Sequence, residues 1–370
     1  DIALAFIAFS TGEFFKLSTL KKNGIKVCVI TLLEALIASI LVFILSFYIL
    51  RLELSFSLVL AALASTTASA SIVMTIRQTG SKGDFVNTLL QVVALDNVLG
   101  LFAYSIAISL AISAKSGSFN FVSVISPIVF NLFVLLLGGL FGVFMKWLMP
   151  KNRSTDNRLI ITIALLFTFC GICAILDVSP LLGCMSMGTV YVNIADDDKL
   201  FKQVNYFSPP ILLVFFVRSG LNFKLDILLS PKASGGGASL LLIGILYFLV
   251  RILGKYTGAF WGSVIAEKSK EVRNYLGLAL IPQAGVAIGL AALGARILGG
   301  DMGSALQTVI LASSVLYELT GPGCAKLALY LSKSYSNKLE DLTAEIEIPE
   351  EKKQSELELL IERIQAIQRE

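Results

Sequence analysis

The chain has 370 residues, 56% of them hydrophobic and 15% charged, with a net charge of +4 and no histidine. A mean hydropathy of +0.81 would cover a water-soluble globule in apolar patches, so the composition specifies an all-α polytopic membrane protein. The missing histidines exclude Ser-His-Asp hydrolysis, HExxH zinc chemistry and histidine pH switching. The small net charge gives no sign of nucleic-acid binding.

At about 20 apolar residues per crossing, eleven segments can be marked, at 1–15, 27–50, 56–76, 85–114, 121–149, 159–176, 179–194, 206–223, 237–262, 274–298 and 303–331. The first begins inside an apolar run without a methionine, so an N-terminal portion is expected to precede it. The second carries Glu34 in its first third, from where a long side chain can snorkel. The third, LAALASTTASASIVMTI, concentrates the hydroxyls of Ser65, Thr66, Thr67, Ser69 and Ser71, which compete with the helix for its own carbonyls. The fourth holds Asp96 in mid-segment with Asn97 beside it. An acid there costs several kcal/mol by some measures and about 3 by insertion scales, so it marks a functional site.

The sixth and seventh segments are separated only by residues 177–180, and the sixth contains Cys170 and Cys173 as buried small residues rather than a redox pair. Arg218 closes the eighth, near an interface. The ninth sets Arg251 and Lys255 four residues apart on one helix face. It also spaces Gly254, Gly258 and Gly262 for close helix approach. The tenth, GLALIPQAGVAIGLAALG, is interrupted at Pro282 and Gln283. The eleventh bears Glu318 just before a Gly-Pro-Gly break. Lys and Arg favour the loops after odd-numbered segments by about three to one, which puts those loops and the C-terminal tail in the cytoplasm. The organisation is therefore a membrane domain over 1–335 and a charged tail over 336–370, the latter with a short amphipathic helix through Leu357, Leu360, Ile361, Ile364 and Ile367. Interrupted helices at about 56–76 and 274–298, one in each half, point to a transporter built from inverted repeats.

These motifs, in this order, resemble the bacterial sodium/proton antiporters of the monovalent cation:proton antiporter superfamily. ASTTASASIVMTIRQTGSKGDF followed by LLQVVALDNVLG is similar to the family's broken helix and paired-acid helix. LVRILGKYTGA, ALIPQAGVAIGL and FSPPILLVFFVRSGLNFKLD resemble its basic helix, second broken helix and F-F-x-x-S-G stretch. The resemblance implies a thirteen-helix fold whose first two helices precede residue 1, with two crossed broken helices. It also implies a homodimer in an inner or plasma membrane, pH homeostasis as the role, and no cofactor beyond the transported ions. Carried over, Asp96 and Asn97 occupy the acid pair and bind Na⁺, Li⁺ or K⁺ and H⁺ as substrates, with Thr66 and Thr67 supplying oxygens. Arg251 best matches the charge-compensating base, with Lys255 one turn away, and Gln283 and Ser69 line the breaks. Asn97 departs from the pattern, because it offers a carbonyl but no proton.

The expected activity is exchange of a monovalent cation for H⁺ by alternating access, in a transporter rather than an enzyme. A sodium-coupled organic-anion symporter of the same architecture is the alternative. An intramembrane aspartyl protease is disfavoured, since it needs two catalytic aspartates and no Tyr-Asp motif occurs.

Overall fold

A computed structural model of the chain describes residues 2–116, 121–150, 154–176, 178–195, 197–221, 239–283 and 285–335. The expected amphipathic helix of the tail lies outside them. Fourteen α-helices follow one another among the described residues. They are α1 (Ile2–Thr11), α2 (Leu17–Phe43), α3 (Leu54–Ser65), α4 (Ser69–Thr79), α5 (Asp84–Ser116), α6 (Phe121–Leu148) and α7 (Thr155–Ile175). The second half comprises α8 (Leu181–Ala195), α9 (Asp198–Phe207), α10 (Pro209–Leu221), α11 (Leu240–Ile265), α12 (Lys270–Ala279), α13 (Gly285–Leu298) and α14 (Gly300–Leu331). They outnumber the eleven apolar segments because the third and tenth segments are each split in two, and because α9 precedes α10. α9 is amphipathic and buries Leu200, Phe201 and Val204 on one face. Among the described residues, six helices are long and apolar enough to cross a bilayer.

Three local features position the site. First, α2 continues without a break into a π-helical turn, Ile44–Ile49, which prolongs it as one rod. Its N-terminus is held by Asn193, whose amide oxygen accepts from Leu17 N at 2.8 Å while its amide nitrogen donates to the Phe15 carbonyl at 2.8 Å.

Second, α11 lies along α2 at glycine distance. A Cβ on Gly254, Gly258 or Gly262 would fall 2.6, 2.5 or 2.8 Å from the Cα of Ala38, Glu34 or Ile30 respectively. No side chain fits there, so the glycine stripe of α11 receives the Ile30–Glu34–Ala38 ridge of α2.

Third, the two interrupted segments meet. α3 stops at Ser65 because the hydroxyls of Ser65 and Thr66 turn back onto the carbonyls of Ala62 (2.7 Å) and Leu63 (2.9 Å), and Thr66 is extended. α12 stops at Ala279, ahead of Pro282, which has no N–H and disfavours helix in the residue before it. The Ala68 N–H donates to the Pro282 carbonyl at 2.9 Å and joins the two breaks.

The Gly-Pro-Gly stretch after Glu318 does not interrupt its helix, contrary to the sequence expectation: α14 runs unbroken through Pro322. Gly321 instead lets α14 pass close to the second break, where a Cβ would lie 2.9 Å from the Pro282 Cα. Arg218, in the last turn of α10, is exposed. Cys170 and Cys173 are buried free thiols.

Candidate functional site

The last carbonyls of a helix lack intrahelical partners, and in a membrane each must find one. At the end of α3 each of these carbonyls has one. Ala62 accepts from Ser65 Oγ, and Leu63 from Thr66 Oγ1 and from Gln283 Nε2 at 2.7 Å. Ala64 accepts from Arg251 Nε at 3.0 Å, Ser65 from Lys255 Nζ, and Thr66 from Arg251 Nη2 at 2.5 Å. Arg251 Nη1 also donates to the Ile281 carbonyl of the second break at 2.8 Å, and its guanidinium carbon sits 4.7 Å over the Tyr317 ring. One buried arginine on α11 thus ties both breaks, using the planar fork of donors that lysine lacks.

One turn further along α11, Lys255 Nζ donates to Asp96 Oδ2 at 2.7 Å and to Thr67 Oγ1 at 3.0 Å. Thr67 Oγ1 in turn donates to the same Asp96 oxygen. Asp96 and Lys255 are both fully buried. Of the two bases, the structure therefore pairs Lys255 with Asp96, while Arg251, the better sequence match, serves backbone carbonyls. Thr66 faces Leu63 and Gln283, so of the two threonines only Thr67 reaches the acid. Gln283 Nε2 also lies 3.0 Å from Tyr247 Oη, in the shell around the breaks rather than at Asp96. Asn97 is buried with both amide atoms unpartnered.

Glu34 joins this cluster, which sequence reasoning missed. Its Oε2 lies 2.7 Å from Lys255 Nζ, and it too is fully buried. It was visible as an intramembrane charge; what could have found it is the glycine stripe of α11, which brackets Lys255 and admits α2 at that level.

Beside the first break lies a cavity of about 380 Å³, lined among others by Ala68, Ser69, Thr75, Gln78, Gly285 and Glu318. It reaches Ala68 but not Thr67 or Asp96, so the buried acids are closed off from it. Ser69, expected at the break, lines this cavity and lies 3.5 Å from Thr11 Oγ1.

A family model described as "Sodium/hydrogen exchanger, transmembrane" matches residues 1–321. The high-affinity Na⁺/H⁺ antiporter NhaS3 of Synechocystis sp. is 24% identical over 232 residues, covering 62% of this chain and 48% of that protein. The chain thus spans about half the length of that curated relative. The solved structure of the sodium proton antiporter MjNhaP1 from Methanocaldococcus jannaschii at pH 8 aligns with a TM-score of 0.67 and 19% identity, over 90% of this chain and 84% of that one. The two share a fold.

Proposed function

Since the chain belongs to the sodium/hydrogen exchanger family, we propose that it is a multi-pass secondary transporter exchanging a monovalent cation, Na⁺ foremost and Li⁺ or K⁺ besides, for H⁺. The observation that carries this reading is a fully buried aspartate, Asp96, held by Lys255 and Thr67 where two interrupted helices meet. An isolated charge at that depth is too costly to persist without a role. An ion pair kept for stability alone gains little after desolvation.

In this mechanism cation and proton compete for the Asp96 carboxylate. Thr67 and Asn97 provide neutral oxygens of the hard type that small cations prefer, and Lys255 balances the acid when no cation is bound. Arg251 keeps the two breaks together while the core they form moves relative to the remaining helices. The reading includes eleven crossings, two crossed broken helices related by inverted repeats, and a cytoplasmic C-terminal tail. It also includes a homodimer with lipid against the exposed apolar face of α6, where Leu136, Leu140 and Trp147 project. Membrane domain and tail divide near residue 335.

The organic-anion symporter has less support. The cavity at the first break is lined by hydroxyls, Gln78 and Glu318, with no base among its described lining residues, a lining that does not favour an anion.

The test is a pH-dye flux assay in proteoliposomes pulsed with Na⁺, Li⁺ or K⁺. Cation-driven proton movement is expected, largest with Na⁺. No response to any of the three cations, from protein shown to be folded and inserted, would overturn the exchange reading.

A further inference from the structure

We infer that Glu34 is a second carboxylate ligand of the transported cation, so that the ion site consists of two acids on α2 and α5 sharing one base on α11. This rests on the exchange reading above and adds a ligand to its site.

The placement comes from packing. The Ile30–Glu34–Ala38 ridge of α2 sits in the glycine stripe of α11, which delivers the Glu34 carboxylate to the level of Lys255. Lys255 Nζ lies 2.7 Å from Glu34 Oε2 and 2.7 Å from Asp96 Oδ2. All three side chains have no solvent exposure. One carboxylate suffices to neutralise one ammonium, so the second is in excess. With both acids ionised and Lys255 charged, the empty site carries one net negative charge in a medium that penalises it. One monovalent cation restores neutrality.

The free lone pairs agree. Neither Glu34 oxygen accepts an aligned hydrogen bond, and Asp96 Oδ1 accepts none. Glu34 Oε1 and Asp96 Oδ1 have neither a hydrogen bond nor an ion-pair contact, which a structural ion pair avoids, because unsatisfied buried acceptors are costly. They are also the hard oxygen ligands a small alkali cation requires. A packing role does not need the acid, since Ala38, one turn along the same ridge, meets its glycine with a methyl group.

The experiment compares wild type, Glu34→Gln and Glu34→Asp in proteoliposomes, reading Na⁺-driven proton flux against Na⁺ concentration. Removing the charge in Glu34→Gln is expected to raise half-saturating Na⁺ by about 10–100-fold, in the range that metal sites lose with a supporting group. Glu34→Asp, which keeps the charge, is expected to stay nearer to wild type than Glu34→Gln. An active wild type with Glu34→Gln at the same Na⁺ dependence overturns this inference alone. A wild type without Na⁺-driven flux overturns the exchange reading and this inference with it. Should Glu34→Gln fail to insert, the wild type decides through its Na⁺-induced infrared difference spectrum, recorded with and without ¹³C-glutamate. A sodium-sensitive carboxylate band that shifts with the label is expected, and a spectrum blind to the label overturns the assignment.

Discussion

Asp96 accepts hydrogen bonds from Lys255 and Thr67 on one carboxylate oxygen and none on the other. Asp96→Asn keeps its shape and removes the charge for which the cargoes compete. Na⁺-driven dye quenching is expected to vanish while size-exclusion elution stays unchanged; persisting flux would displace Asp96 from the site. The two bases of α11 separate by a different measurement. Arg251→Lys cannot reach the carbonyls of Ala64, Thr66 and Ile281 together, and each abandoned carbonyl costs about 1–3 kcal/mol. Lys255→Met leaves two buried acids facing each other, a loss of about 3–5 kcal/mol if both remain charged. Thermal melts in detergent should therefore fall for both, and added Na⁺ should recover part of the loss only in Lys255→Met, where a cation can replace the ammonium. Equal behaviour of the two variants towards Na⁺ would contradict the division of labour. Sequence spacing put both bases on one helix face but could not rank them. The ranking depends on depth along α11, where Arg251 meets bare carbonyls and Lys255 meets carboxylates.

At the level of elements, the contact between α2 and α11 carries the geometry of the site. Gly258→Leu would place a Cβ 2.5 Å from the Glu34 Cα, a backbone atom that cannot step aside. The helices must separate, with a cost of about 1–3 kcal/mol from overpacking and loss of the Glu34–Lys255 contact. Transport should collapse in that variant. Gly171→Ala in α7, where a Cβ meets nothing within 4 Å, should transport like wild type and serves as the control. The breaks themselves were legible in the sequence, because their causes are local: a run of hydroxyls in one and Pro282 in the other. Pro322 shows the limit of such reasoning, since α14 absorbs it and continues. Glu34 was legible as a charge but not as a site residue. In α2 the polar and small residues Thr31, Glu34, Ala35 and Ala38 recur at helical spacing and are all buried, but that spacing marks an inward face without saying which helix it meets.

At the scale of the molecule, charge balance sets what exchange can look like. Two acids and one base admit one monovalent cation per cycle, and Asn97 adds no charge, so the cycle is expected to be electrically silent. Asn97→Asp adds one negative charge and should generate a Na⁺-triggered current on a solid-supported membrane. A robust current from the unmodified chain, undiminished relative to Asn97→Asp, would show this balance to be wrong. The breaks also impose an order on biosynthesis. The carbonyl of Ala64 is capped by Arg251, 187 residues later in the chain. At about 5–20 residues per second, the ribosome needs roughly 10 to 40 s to deliver that arginine after the first break has emerged. During that interval the end of α3 must wait beside the insertion machinery or in water, because lipid offers its carbonyls nothing. Nascent chains arrested before α11 should therefore be degraded by membrane proteases, and those released after α11 should survive. The junction of the two breaks is thus completed only late in synthesis of the chain.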